Sequence, residues 1–390
     1  MATIFITDGQ RRSALAAVRS LGRRGHSVVC GESMRFATSF ASKYTDDCVV
    51  YPSPEERPSE FVEFLVKFLS NEEIDLLMPI AHESTRLINH HKDRLSEHTI
   101  VPVAGAERFD ELVRKDAVMR RAERLDVPHP RTAYPDSVDD IREIRSELEF
   151  PVVVKPLDSA GSRGLRYVDS PDALADVYES VEASYPGPII QEQIPLEGRG
   201  LGAGFLVWDG EVLAEFAYRR LREYPPSGGP STLRESIHHD ALLEYGRKIL
   251  LDADWQGVAM VEFKNDPRTD TPNLLEVNPR FWGSLHLPYY AGVDYPALLA
   301  SVALGETVEP TREYPAGVKC RYLVPGDFLH LFSERDLDAV RDFFPLVDED
   351  LYYDIVDADD TFPLVGRIGA ILRYSVDPDI WRRVVFRSSR

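Results

Sequence analysis

With 390 residues, 43% of them hydrophobic and 10% aromatic, the chain is long enough for two or three domains with real cores. Its 45 Lys and Arg stand against 65 Asp and Glu. The resulting net charge of −20 excludes a general nucleic-acid binder and disfavours unaided docking on anionic lipid.

Cys30, Cys48 and Cys320 form no CxxC pair and are odd in number, which argues against a disulfide framework or a zinc site. No stretch reaches the roughly 18 apolar residues of a membrane span. The N-terminus lacks the basic start and long apolar core of a signal peptide, so a cytoplasmic protein is expected. Excess negative charge repels itself and salt screens the repulsion, so a salt-rich cytoplasm and an ordinary acidic cytosol both fit. Only eight of the basic residues are lysines, which makes each lysine informative.

In chain order, residues 3–7 form a short apolar run ending in the turn signal Asp8-Gly9. Leu15, Ala16, Val18 and Leu21 have helical spacing over 13–24. Strands are expected at 27–30, 74–80 and 99–103, with an amphipathic helix at 60–69. Strands alternating with helices imply a parallel sheet. The turn Asp8-Gly9-Gln10-Arg11-Arg12-Ser13 lacks G-x-G-x-x-G, which excludes a dinucleotide site there. One charged helix is expected at 107–125, followed by the connector Val127-Pro128-His129-Pro130. Strands at 152–156, 188–194, 202–207 and 212–218 then have few helices between them, an α+β texture. The last segment, 311–390, has no clear period, with helices expected only at 328–332 and 364–372.

Four segments carry chemistry. In Pro151-Val152-Val153-Val154-Lys155-Pro156-Leu157-Asp158-Ser159-Ala160-Gly161-Ser162-Arg163-Gly164 an apolar strand ends in a lysine and enters a loop of small residues. Such loops let backbone N–H groups approach phosphate oxygens, and the lysine adds a point charge. An ordinary hairpin also fits this pattern. The second segment holds Glu262, a polar turn, and Glu276-Val277-Asn278-Pro279-Arg280. Glu276 and Asn278 share a strand face at i and i+2, and a hairpin would bring Glu262 beside them. Two carboxylates and an amide oxygen suit Mg²⁺ that also holds phosphates. Arg280 follows, placed for an anion. The third, Ile189-Ile190-Gln191-Glu192-Gln193-Ile194-Pro195-Leu196-Glu197-Gly198, is a strand running into an acidic turn. The fourth, Arg219-Arg220-Leu221-Arg222-Glu223-Tyr224-Pro225-Pro226-Ser227-Gly228-Gly229, leads from a basic strand end into a loop with the composition of a lid or of a hairpin tip. His90-His91 and His238-His239 are adjacent pairs whose side chains point apart, which disfavours zinc.

In this order the four segments resemble the ATP-grasp superfamily, which contains biotin carboxylase and carbamoyl-phosphate synthetase, and within it the carboxylate–amine ligases. The resemblance covers about residues 105–305. It implies an N-terminal α/β domain with a parallel sheet at 1–105 and an ATP-grasp fold of two α+β subdomains at 106–310. A lid subdomain is expected at about 130–195 and a small C-terminal extension at 311–390. By the resemblance, Lys115 and Lys155 bind nucleotide, and Gly161, Ser162 and Gly164 belong to the loop over the phosphates. Gln191, Glu192, Gln193 and Ile194 form the hinge for adenine, with Glu192 near its amino group. Glu197 holds the ribose, although a glycine is common where Leu196 stands. Glu262, Glu276 and Asn278 match the Mg²⁺ (or Mn²⁺) ligands, Arg280 the residue that stabilises the acyl phosphate, and Arg220 a contact to the γ-phosphate or carboxylate. The expected partners are ATP, a small-molecule carboxylate and a nucleophile, with a homodimer compatible. A phosphotransferase or carboxylating synthetase, and a nucleotide sensor without turnover, are the alternatives.

Overall fold

A computed structural model describes residues 1–158, 164–226, 228–334, 337–344 and 346–375. Gly161 and Ser162 lie outside the described residues. No helix among the described residues is long and apolar enough to cross a membrane.

Strands β1 (Thr3–Ile6), β2 (Ser27–Glu32), β3 (Asp47–Val50) and β4 (Leu76–Met78) form a parallel sheet in the order β3-β2-β1-β4. Helix Arg12–Arg23 joins β1 to β2 and buries Leu15, Ala16, Val18 and Leu21, the residues whose spacing marks it. Two local expectations fail. The short, mostly exposed edge strand β3, Asp47-Cys48-Val49-Val50, was not anticipated. Residues 99–103 make only a single bridge, Leu76 to Ile100, because Pro102 has no N–H with which to extend the ladder.

The charged stretch 107–125 is two helices, Ala106–Val113 and Lys115–Arg124, rather than one. Arg114 between them is extended at φ −73°, ψ 116°. The break turns the Lys115 N–H out to donate to the Leu157 carbonyl at 3.0 Å, which ties this helix to the loop after β6.

Strands β5 (Thr132–Ala133), β6 (Val152–Lys155), β7 (Arg166–Val168) and β8 (Ile189–Glu192) make an antiparallel sheet ordered β5-β8-β6-β7. It has its own small core around Val152, Val154, Leu174, Tyr178 and Ile190. The third sheet is larger. It holds β9 (Gly200–Trp208), β10 (Glu211–Glu223), β11 (Ser231–Ile237), β12 (Gly257–Asp266), β13 (Thr271–Asn278), β14 (Lys319–Arg321) and β15 (Leu351–Tyr353), ordered β13-β12-β9-β10-β11-β14-β15. One continuous core runs from Ile4, Ala17 and Leu21 through Leu206, Phe216, Trp282 and Leu287, fastening the N-terminal sheet to this one.

The segment after residue 311 adds β14 and β15 to the large sheet, and helices Phe328–Glu334 and Phe362–Ser375 stand over the two positions expected to be helical. It is tied back to the first helix by two ion pairs, of which Arg19–Asp360 is wholly buried. Asp360 accepts from Arg19 Nε at 2.9 Å, and Asp354 accepts from Arg12 Nη1 at 2.8 Å.

Candidate active site

Between the small antiparallel sheet and the large sheet lies a cleft of about 540 Å³. It is lined by Lys115, Lys155, Gln191, Glu192, Gln193, Ile194, Glu197, Arg220, Glu262, Glu276, Asn278 and Arg280. Segments spread over 165 residues of sequence thus meet at one surface. Gly164 does not line it. Gly164 has φ +75°, and a Cβ there would stand 2.7 Å from the Tyr185 ring, so glycine is required for the turn beside β7.

The acidic floor comes from the β12–β13 hairpin. Glu262 and Glu276 are direct cross-strand partners, and Asn278 is paired with Met260 one step along the same face. A bulge at Leu275 restores this alternation after Phe263 pairs with Leu274. Cations surround the two carboxylates. Arg220 Nη2 lies 2.7 Å from Glu262, and Lys115 Nζ lies 3.5 Å from Glu276. Burial lifts the Glu262 carboxyl above its ordinary range, with Glu276 adding to the rise and Arg220 opposing it. Burial acts on Glu276 in the same sense. There Lys115, the Asn278 amide, Lys155 and Arg280 outweigh it and hold the group below the ordinary range.

Lys155, at the end of β6, donates to Gln191 Oε1. Burial, and then the charge of Lys115, lower its pKa to about 8. The Gln191 amide also donates to Thr132 Oγ1 at 2.9 Å, so its side chain braces the lysine and is not free for a ligand. The Glu192 carboxylate accepts from the Glu149 N–H at 3.0 Å through one of its oxygens. The Gln193 N–H is used by Pro151 O, while the Ile194 N–H has no partner among the described residues. Glu197 is exposed at the mouth.

At the other end Arg280 donates to Asn278 Oδ1 and to Phe281 O, both at 2.8 Å. Burial, then Arg11, lower its pKa to about 10. The Nε atoms of Arg220 and Arg280 are buried with no partner among the described residues. The arrangement is a cation-rimmed carboxylate pair suited to gathering phosphates and a second anion around a divalent ion.

Sequence reading gave no role to Lys264, Arg12, Trp282 and His330, all on the cleft wall, while Arg222 belongs to the fourth segment and also lines it. Lys264 is legible in retrospect, two residues beyond Glu262 on one strand face. Arg12 and His330 carry no sequence signal, since both reach the cleft from distant segments.

Comparison with known proteins points to one fold family. A family model described as ATP-grasp in the biosynthetic pathway with Ter operon matches residues 196–324, past the point where the sequence motifs end. The C-terminal section of the carbamoyl phosphate synthase large chain of Methanopyrus kandleri is 24% identical over 237 residues, 58% of this chain and 40% of that protein. The chain therefore spans well under half of that relative. D-aspartate ligase of Enterococcus faecium is 23% identical over 299 residues, covering 65% of this chain and 70% of the ligase. Among solved structures, a biotin carboxylase–ATP-analogue complex from Campylobacter jejuni superposes with a TM-score of 0.69 at 17% identity, over 82% of this chain and 74% of that one.

Proposed function

We propose, from the premise that the chain is an ATP-grasp protein, that it is a ligase which uses ATP and Mg²⁺ (or Mn²⁺) to activate a carboxylate as an acyl phosphate for attack by an amine or another nucleophile. The observation that carries this reading is the direct pairing of Glu262 with Glu276, with Asn278 on the same face and Lys115, Lys155, Arg220 and Arg280 around them.

The donor set fits a hard divalent cation. Glu262, Glu276 and Asn278 offer oxygens only, and the described residues contain no group of three His, Cys, Asp or Glu that competes. A divalent ion held by Glu262, Glu276 and Asn278 would supply neutralisation of the charge on the transferring phosphate. Lys155 and Lys115 hold the phosphates, and the Ile194 N–H is the free hinge donor for the base. An oxygen of the substrate carboxylate attacks the γ-phosphorus, the bond to the bridging oxygen breaks, and ADP leaves. The nucleophile's lone pair then attacks the acyl carbon, inorganic phosphate departs, and the amine releases a proton. Arg280 faces the charge that develops on the acyl oxygen, and its position needs no reorganisation during the step.

The test is ADP release from Mg²⁺-ATP over a panel of carboxylates, each with and without an amine. Steady release that needs both substrates is expected. Release with a carboxylate alone and no condensed product would favour a phosphotransferase, and no release with any pair would favour a sensor.

Two further outcomes follow from the charges. Lys155 is cationic below pH 8 and neutral above it, so nucleotide affinity should be level from pH 7 to 8. It should then fall by up to about tenfold per unit above pH 8, because each binding event takes up a proton. Calorimetry across pH 7–9.5 checks this, and Lys155→Arg should flatten the profile. The −20 charge also implies that screening stabilises the fold, so the melting temperature should rise between dilute buffer and molar KCl. A constant melting temperature would leave an ordinary acidic protein and remove the salt-adapted reading.

A further inference from the structure

Arg12 opens the helix after β1, yet its guanidinium lies on the cleft wall of the large sheet. Four contacts fix it there. Nη1 donates to Asp354 Oδ2 at 2.8 Å and to Ser231 O at 3.2 Å. The group lies over the Tyr322 ring at 4.4 Å. Nη2 rests against Gly283, where a Cβ would stand only 2.9 Å away. Gly283 sits three residues beyond Arg280, at the end of the cleft where the acyl group would lie.

Two features make this more than a structural ion pair. The Arg12 Nε and Nη2 groups have no hydrogen-bond partner among the described residues, and the side chain retains 12% exposure. A guanidinium pinned by one nitrogen, with donors left over, is preorganised for a planar or tetrahedral anion. The surrounding charge is also unbalanced. Arg12 shares Asp354 with Arg234, and on the same wall Arg222 shares Asp327 with Arg321. Four guanidiniums thus have two carboxylates between them, in a protein whose overall charge is strongly negative.

We propose that Arg12 is a second anion subsite beside Arg280, and that the carboxylate activated by this protein carries another anionic group, a second carboxylate or a phosphate, which Arg12 binds. This rests on reading the cleft as a carboxylate-activating site. It gives the C-terminal segment a task, since Asp354 and Tyr322 hold Arg12 in place.

The test is calorimetry on full-length protein loaded with Mg²⁺ and a non-hydrolysable ATP analogue. The probes are two matched pairs: glutarate against butyrate, and 3-phosphoglycerate against glycerate. At least one polyanion should bind about tenfold or more tightly than its monoanionic partner. Preference confined to glutarate identifies a carboxylate, and preference confined to 3-phosphoglycerate identifies a phosphate. Arg12→Met should abolish the preference while nucleotide affinity, which reports folding, is unchanged. Arg12→Lys should keep part of it. The proposal is overturned if neither polyanion is preferred, or if Arg12→Met keeps the preference. Should an Arg12-dependent polyanion bind yet give no ADP with any amine, the ligase reading falls and the subsite stands.

Discussion

Glu276→Gln should leave nucleotide bound and reduce phosphoryl transfer by about 10³-fold or more. The residue stands opposite Glu262 on the neighbouring strand and 3.5 Å from Lys115 Nζ. Glutamine keeps its shape and one oxygen and removes the charge, so the hairpin should fold unchanged. The hinge around Ile194 and the lysine on β6 belong to the opposite sheet, and Lys155 is held by its hydrogen bond to Gln191 rather than by Glu276. Affinity for an ATP analogue should therefore change far less than turnover. Arg280→Ala acts at the other end of the floor, removing a guanidinium that reaches Asn278 Oδ1, and should slow turnover by about 10²–10³ with nucleotide affinity kept. Wild-type turnover in either variant would remove that residue from the chemistry.

The largest effect on stability should come from Asp354→Ala. Its carboxylate is wholly buried and accepts from Arg12 Nη1, from both Arg234 Nη atoms and from Cys320 Sγ at 3.1 Å. Deleting it leaves Arg234, itself fully buried, without its counter-ion, and such a loss costs about 3–5 kcal/mol. Denaturant melts of wild type and variant measure this. The same group sets an acid limit. Burial alone would raise its pKa, but Arg234, Arg12 and His286 outweigh burial and hold it far below the usual carboxylate range. A depressed carboxylate stabilises the fold fully above its unfolded value, near pH 4, and the contribution fades as pH falls further. Wild type should accordingly lose stability below about pH 4 more steeply than Asp354→Asn, which has no proton to take up. Parallel acid profiles would contradict this.

The floor of the site was legible because strand alternation is a local rule. Glu276 and Asn278 are two residues apart, and a polar turn announces the hairpin that returns Glu262. The lysine ending β6 was legible for a similar reason, since an apolar strand followed by small residues has few other uses. What could not be read is long-range. Nothing near Arg12 indicates that its partner is Asp354, 342 positions away, or that Gly283 is small to admit it. The break at Arg114 was hidden because the residues on both sides favour helix, and only the contact from Lys115 to Leu157 fixes it. β14 and β15 are three residues each, with a buried arginine and cysteine where an apolar period would be sought. That the Gln191 side chain braces Lys155 was likewise not legible from its place in the hinge segment, whose reading concerned the backbone.

Hydroxylamine traps acyl phosphates as hydroxamates, which makes it the most direct probe of the central claim. Wild-type protein given Mg²⁺-ATP, hydroxylamine and a panel of di- and monocarboxylates should form hydroxamate from its own substrate in step with ADP, and Glu276→Gln should form none. ADP release that depends on a carboxylate but yields neither hydroxamate nor a condensed product would contradict the acyl-phosphate mechanism.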